Sequence, residues 1–281
     1  MSLLLKLSCP DRVGLLASIA GCIAKYGGNL LEVHQFTDSQ AKWFFTRMTI
    51  ETIQVNLPEL RAEFEVMARG FDAEWTIRAS DSRMKVILMV SKLGHCLADL
   101  LWRWRSGELA FDIPCVISNH EDFRSIVERE GIEFHHVPVE PGNKAAAFDE
   151  VARLVRRSAP DLVVLARYMQ VVPAELCAEF RGRIMNIHHS FLPSFVGANP
   201  YQRAYERGVK LIGATCHYAT EELDAGPIVD QEVIRVEHFH TPEDLVRIGR
   251  DCERLALARS VRWHLDDRVL IHGNKSIVFR D

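Results

Sequence analysis

Leu162-Val163-Val164-Leu165-Ala166 is an apolar run with no polar interruption. Such a strand has no face to offer to water, so it predicts a central strand of a parallel sheet covered by helices on both sides. The surrounding segments agree with that placement. Lys85 to Val90, Ile113 to Ile117 and Phe134 to Val137 read as strands, and helical stretches at 97–104, 122–130 and 144–156 alternate with them. The alternation predicts a doubly wound, mostly parallel α/β domain whose ligands bind outside the strand C-termini. Late strands at 211–218 and 228–236, a helix over 242–264 and a terminal hairpin at 268–271 and 276–279 complete the domain.

The first 80 residues follow a different pattern. Strands at 3–7, 30–37, 43–51 and 71–77 alternate with helices at 13–25 and 58–68, where Leu15, Leu16, Ile19 and Ile23, then Leu60, Phe64 and Met67, fall on one face. Cys9-Pro10-Asp11-Arg12 breaks the first strand, and Gly27 and Gly28 end the first helix. The order βαββαβ in so short a span is ferredoxin-like. A stretch without apolar periodicity around 78–84 serves as linker, which predicts domains at 1–80 and 85–281.

A chain of 281 residues is long enough for two cores. Its formal charge of -4 gives no electrostatic case for nucleic acid or an anionic membrane. No apolar run approaches the roughly 20 residues that span a bilayer, and a cytoplasmic protein is expected. The 7 cysteines are scattered singly, which fits reduced thiols better than disulfides or a zinc knuckle.

Chemistry concentrates in Asn186-Ile187-His188-His189-Ser190-Phe191-Leu192-Pro193 and in the later Leu223-Asp224-Ala225-Gly226-Pro227. Asn186 and His188 lie two apart at a strand end, which points both side chains to one side; Leu192-Pro193 then ends the strand. An amide, an imidazole and a carboxylate suit attack on a carbonyl carbon: the amide donates to an oxyanion, the imidazole moves a proton, and Asp224 orients the imidazole or takes a proton from water. Each residue alone has a plainer reading, as a structural Asn-x-His pair or an Asx-turn aspartate.

Taken together, the strand with Asn-Ile-His, the Ser-x-Leu-Pro, and His217 seven residues before an acidic Leu-Asp-x-Gly-Pro loop resemble the formyltetrahydrofolate-dependent formyltransferase superfamily. The text Asn-Ile-His-His-Ser-Phe-Leu-Pro-Ser-Phe and Tyr201 to Lys210 look like its deformylase branch. Cys9 to Gly14 and Tyr26 to Leu30 are similar to the start of an ACT domain, an amino-acid-sensing module. This resemblance implies hydrolysis of 10-formyltetrahydrofolate to tetrahydrofolate and formate, without a cofactor, balancing the one-carbon pool and supplying formate for purine synthesis. The alternative is formyl transfer to an amine acceptor; a non-catalytic folate sensor is a third reading. The turn Ser91-Lys92-Leu93-Gly94-His95-Cys96 holds one glycine where transferase relatives cradle an acceptor's phosphate, so that site is expected to be lost or remodelled. Lys92 and His95 could bind an anion or simply start a helix.

The resemblance further implies folate binding at Met169, Gln170, His217 and Glu222, largely through backbone groups. It implies an amino-acid effector such as glycine or methionine at Asp11, Arg12, Gly14, Gly28 and Asn29, commonly across an interface between copies, hence at least a dimer. His189 reads better as a structural histidine than a catalytic one, and Cys216 as an inert buried thiol. The histidine pairs 135–136, 188–189 and 238/240 lack the helical His pair of zinc hydrolases, so no metal is expected.

Overall fold

The computed structural model describes residues 2–52, 56–192 and 200–280. The chain divides into two compact units: residues 1–82 with 263–272 and 277–281, and residues 83–262 with 273–276. In the first unit, β1 (Ser2–Pro10), α1 (Leu15–Lys25), β2 (Gly28–Asp38), β3 (Trp43–Thr52), α2 (Leu57–Arg69) and β4 (Glu74–Ala79) follow in order. Their strands pair antiparallel as β2-β3-β1-β4, the expected ferredoxin-like arrangement. Alternate residues of two strands, Leu3, Leu5 and Leu7 with Phe44, Met48 and Ile50, share a core with Ile19 and Ile23 of α1 and Leu60 and Phe64 of α2.

Several boundaries differ from the sequence reading, three of them for a visible local reason. β1 continues through Pro10, which pairs with Trp43; proline is tolerated at a strand end. α1 begins at Leu15 because Gly14 turns the chain with φ 89° at the N-cap, leaving Val13 in solvent. β4 begins at Glu74 because Phe71 and Ala73 both return their N–H groups to the Ala68 carbonyl and close α2.

The sheet's other face is covered by the unit's C-terminal contribution. Phe45 packs with Leu270 and Phe279. Arg47 donates from Nε to the Asp266 carbonyl at 3.0 Å, and Asp267 pairs with Lys6 at 3.1 Å and Arg78 at 2.5 Å. Residues far apart in the chain thus complete one small fold.

The second unit begins with β5 (Met84–Val90), α3 (His95–Arg105), β6 (Phe111–Asp112), β7 (Cys115–Ser118), α4 (Arg124–Arg129), β8 (Glu133–His136) and α5 (Lys144–Ser158). It continues with β9 (Leu162–Leu165), α6 (Ala174–Glu179), β10 (Ile184–His188), α7 (Pro200–Arg207), β11 (Leu211–Tyr218), β12 (Ile228–Arg235) and most of α8 (Pro242–Leu265). Beyond α8, β13 (Val269–His272) and β14 (Lys275–Val278) form the terminal hairpin. Among the described residues the main sheet runs β12-β11-β10-β9-β5-β7-β8, with β6 beside β5. The apolar run at 162–165 is β9, wholly buried between the parallel strands β5 and β10.

From β5 the chain builds outward to β7 and β8, then returns to add β9 and β10 on the other side. This reversal opens a crevice at the C-terminal ends of β5 and β9, where open α/β sheets bind ligands. β11 and β12 run antiparallel and extend that edge. Phe148, Val151 and Val155 of α5 seal one face against Ile87, Ile117 and Val163. The helices α6 and α7, of 6 and 8 residues, were not anticipated, since an apolar period barely shows over two turns. Pro193, expected to end β10, lies outside the described residues, as do Ser194 and Phe195 of the motif.

Candidate active site

β10 ends at His188, and its antiparallel neighbour β11 sets His217 opposite Asn186 and Thr215 opposite His188. Asn186 Nδ2 lies 3.1 Å from His217 Nε2, while His217 Nδ1 lies 3.0 Å from the Tyr218 carbonyl oxygen. The Asn186 amide has two N–H groups, so its contact with His217 leaves one for a ligand.

Asp224 arrives on the loop between β11 and β12. Its backbone takes φ 55°. The loop closes only because Gly226 follows, since a Cβ there would stand 1.9 Å from the Tyr218 carbonyl oxygen. Asp224 Oδ2 is then 3.3 Å from His188 Nδ1, and Oδ1 is 3.5 Å from His217 Nε2. Burial acts to raise the Asp224 pKa, but the contacts with His188 and His217 outweigh it and hold the carboxyl well below the usual carboxylate range. His188 is 7% exposed, and its Nε2 is buried without a hydrogen-bond partner. With Nδ1 turned to Asp224, Nε2 is the atom left for a reacting group.

A pocket of about 530 Å³ opens here, lined by Asn186, His188, Asp224, Met169, Gln170, His217 and Glu222. The structure therefore gathers all seven residues singled out for catalysis and substrate binding. Met169, Val171 and Leu223 also line it and remain more than half exposed, giving the pocket an apolar rim. The Met169 N–H donates to Ser91 Oγ at 2.9 Å, and that hydroxyl donates to Asn119 Oδ1 at 2.6 Å. These bonds fix the loop after β9 to the end of β5.

Sequence reasoning gave no individual role to Arg167 or Tyr201 and missed Glu253. Glu253 accepts from Tyr201 at 2.9 Å and lies 2.8 Å from His95 Nε2, so His95, which starts α3, is engaged by a buried carboxylate. An acid on the buried stripe of α8, beside Cys252, Ala256 and Leu257, was the signal that could have found it. Among the described residues, His95, Cys96 and Glu253 bring three metal-capable atoms within 4.8 Å. Burial, however, pushes the Cys96 thiol well up, and Glu253 is already hydrogen-bonded. Cys216 is fully buried and its thiol is pushed up to about 12, which suits an inert packing role. Lys92 is exposed.

The five effector positions do not meet within one chain. Asp11, Arg12 and Gly14 precede α1, while Gly28 and Asn29 follow it, and the helix's 11 residues rise about 16 Å between them. Arg12 donates to the Gly70 carbonyl at 2.7 Å and stacks on Phe71; Asp11 donates its N–H to the Lys42 carbonyl. Asn29 pairs with Glu51 in the sheet. Gly28 is demanded by packing, since a Cβ would meet Ile23 Cγ2 at 2.7 Å and Ile50 Cγ2 at 2.9 Å.

The ACT domain family matches residues 3–68 and the formyl transferase family residues 84–261. The molecule is thus an ACT domain followed by a formyl transferase-fold domain. A glycinamide ribonucleotide transformylase from Symbiobacterium toebii aligns with 73% of this chain and 97% of its own, with a TM-score of 0.66 and 28% identity. A formyltetrahydrofolate deformylase of Synechocystis sp. is 47% identical over 98% of this chain and 97% of its own. The crystal structure of a formyltetrahydrofolate deformylase from Pseudomonas syringae pv. tomato gives a TM-score of 0.97 at 52% identity, covering 99% of this chain and 94% of that one. The chain belongs to the formyltetrahydrofolate deformylase family.

Proposed function

We propose that this protein hydrolyses 10-formyltetrahydrofolate to tetrahydrofolate and formate, with Asn186, His188 and Asp224 as the catalytic residues. The observation that carries the assignment of these residues is their convergence on one pocket at the strand C-termini. Substrate lies in that pocket against Met169, Gln170, His217 and Glu222. The Asn186 amide and the Nε2–H of protonated His188 donate to the formyl oxygen, where negative charge develops.

Water's oxygen bonds to the formyl carbon as one of its protons passes to Asp224. Collapse of the tetrahedral intermediate breaks the C–N10 bond, and N10 takes up that proton. The other proton is lost to solvent, so formate leaves as an anion. Because Asp224 is a weak base, its steadier task is to hold Nδ1 of His188 and so aim Nε2. Water and donor suffice for this scheme, and it uses no cofactor or metal.

Transfer to an amine acceptor is not favoured, because the deformylases match this chain end to end whereas the transformylase aligns only with part of it. The first unit, as an ACT domain, senses an amino acid such as glycine or methionine. The separation of its two effector segments by the length of α1 supports a site completed by a second copy, hence a homo-oligomer. A cytoplasmic protein that balances one-carbon folates and supplies formate for purine synthesis fits the chemistry; buried free thiols suit a reducing compartment. Among the described residues, no helix is long and apolar enough to cross a membrane.

The test is formate release from 10-formyltetrahydrofolate with no acceptor added. One formate per tetrahydrofolate is expected; turnover that requires an amine and yields a formylated amine would refute hydrolysis. Sedimentation should find a dimer or larger at micromolar concentration, and a monomer would refute the shared effector site.

A further inference from the structure

Beside the pocket of the catalytic residues lies a second chamber of about 480 Å³, and the two have Arg167 and His189 in common. His95, Tyr201, Gln202 and Glu253 also line it. Glu253 is only 1% exposed, yet both its oxygens are engaged, Oε1 by the Tyr201 hydroxyl and Oε2 by His95. Arg167 is ion-paired with Glu253 but short of hydrogen-bond acceptors. Its Nε stands 3.3 Å from Glu253 Oε2 without forming a hydrogen bond, and Nε and Nη1 are buried with no acceptor.

A guanidinium 7% exposed and underfilled with acceptors is costly unless a ligand supplies them. Its backbone is also held in an uncommon state, φ 65°, with the carbonyl accepting from Ser91 N–H at 3.2 Å. The Nη1–Nη2 edge of the guanidinium matches a planar carboxylate, since Nε–H lies on the other edge beside Glu253. The other shared residue, His189, has its pKa pushed down to about 4 by burial and by the Arg167 charge, so it is neutral near pH 7 and adds no charge to trap an anion.

Hydrolysis at one carbon creates a large product and a small one, and the large product fills the pocket through which it entered. We propose that the second chamber is a binding site for a small carboxylate, in which Arg167 receives formate while tetrahydrofolate still occupies the first pocket. This assignment rests on the hydrolytic reading above. Formate then leaves past Gln202 without waiting for folate.

The test titrates isotope-labelled formate into the full chain, with and without saturating tetrahydrofolate. Formate binding is expected to persist when tetrahydrofolate is bound, and Arg167→Lys should weaken it at least about tenfold by losing the bidentate fork. Gln202→Trp, at an exposed position, should slow exchange of bound formate while leaving tetrahydrofolate affinity unchanged. Tetrahydrofolate that excludes formate, Arg167→Lys binding formate as tightly as wild type, or exchange unaffected by Gln202→Trp would each overturn the proposal. Donor turnover without formate binding would sink the site and spare hydrolysis. Formate binding by a chain that releases none from the donor would overturn its assignment to product.

Discussion

Each unit buries a carboxylate among cations, and the two clusters differ in what they leave unpaired. In the first unit Asp267, 3% exposed, is matched by Lys6 and Arg78, and Arg78 also donates to the Leu265 carbonyl. In the second unit Glu253 is equally well matched, but its neighbour Arg167 keeps two donors without acceptors, as His188 keeps Nε2. Burial acts to raise both carboxyl pKa values, and the adjacent cations and hydrogen bonds bring them below the usual range. The clusters are thus alike electrostatically. A cluster that completes its own hydrogen bonds fastens a segment, whereas one with buried donors to spare can still take an acceptor from a ligand.

The largest effect expected from breaking this contrast is on stability. Asp267→Ala leaves Lys6 and Arg78 facing an uncompensated site and should cost about 3 to 5 kcal/mol in denaturant unfolding. Formate release per folded molecule should be unchanged, and a loss of turnover to match would erase the distinction between the clusters. Asn186→Ala and Asp224→Asn should do the reverse, lowering kcat by about 10²- to 10³-fold with the fold intact. Near wild-type kcat in either would remove that residue from the catalytic set.

Glu253→Gln keeps the shape but removes the charge beside His95 and Arg167, and should cost about 1 to 3 kcal/mol of stability. A neutral outcome would mean that Glu253 is not needed to offset Arg167. The mildest probe is pH. Burial pushes His189 down to about 4 and His264 down to about 3, each from an ordinary value of 6.5. The unfolded chain then binds more protons than the folded one below about pH 6.5, so stability should fall as pH drops from there toward 4. His189→Gln should flatten part of that slope, and an unchanged slope would show that His189 does not carry it.

Much of the site was legible because its chemistry is local. Asn186 and His188 two apart in a strand, and an aspartate in a glycine-proline loop, state their geometry within a few residues. Glu253 was not legible in the same way: on α8 it reads as one acid among several, and its partners His95, Arg167 and Tyr201 come from three other segments. The helix α7 that bears Tyr201 and Gln202 is too short to announce itself by period.

The sequence by itself determined the two fold patterns, since alternation, apolar runs and glycine turns act over neighbouring residues where backbone sterics and burial decide. It also determined which side chains carry the proposed chemistry. Only the tertiary structure decided that residues 263–272 and 277–281 complete the first unit by covering its sheet, and that Arg167 and His189 stand between two chambers. Both depend on contacts between distant segments, whose strength comes from excluding water together, and no single segment carries that information alone.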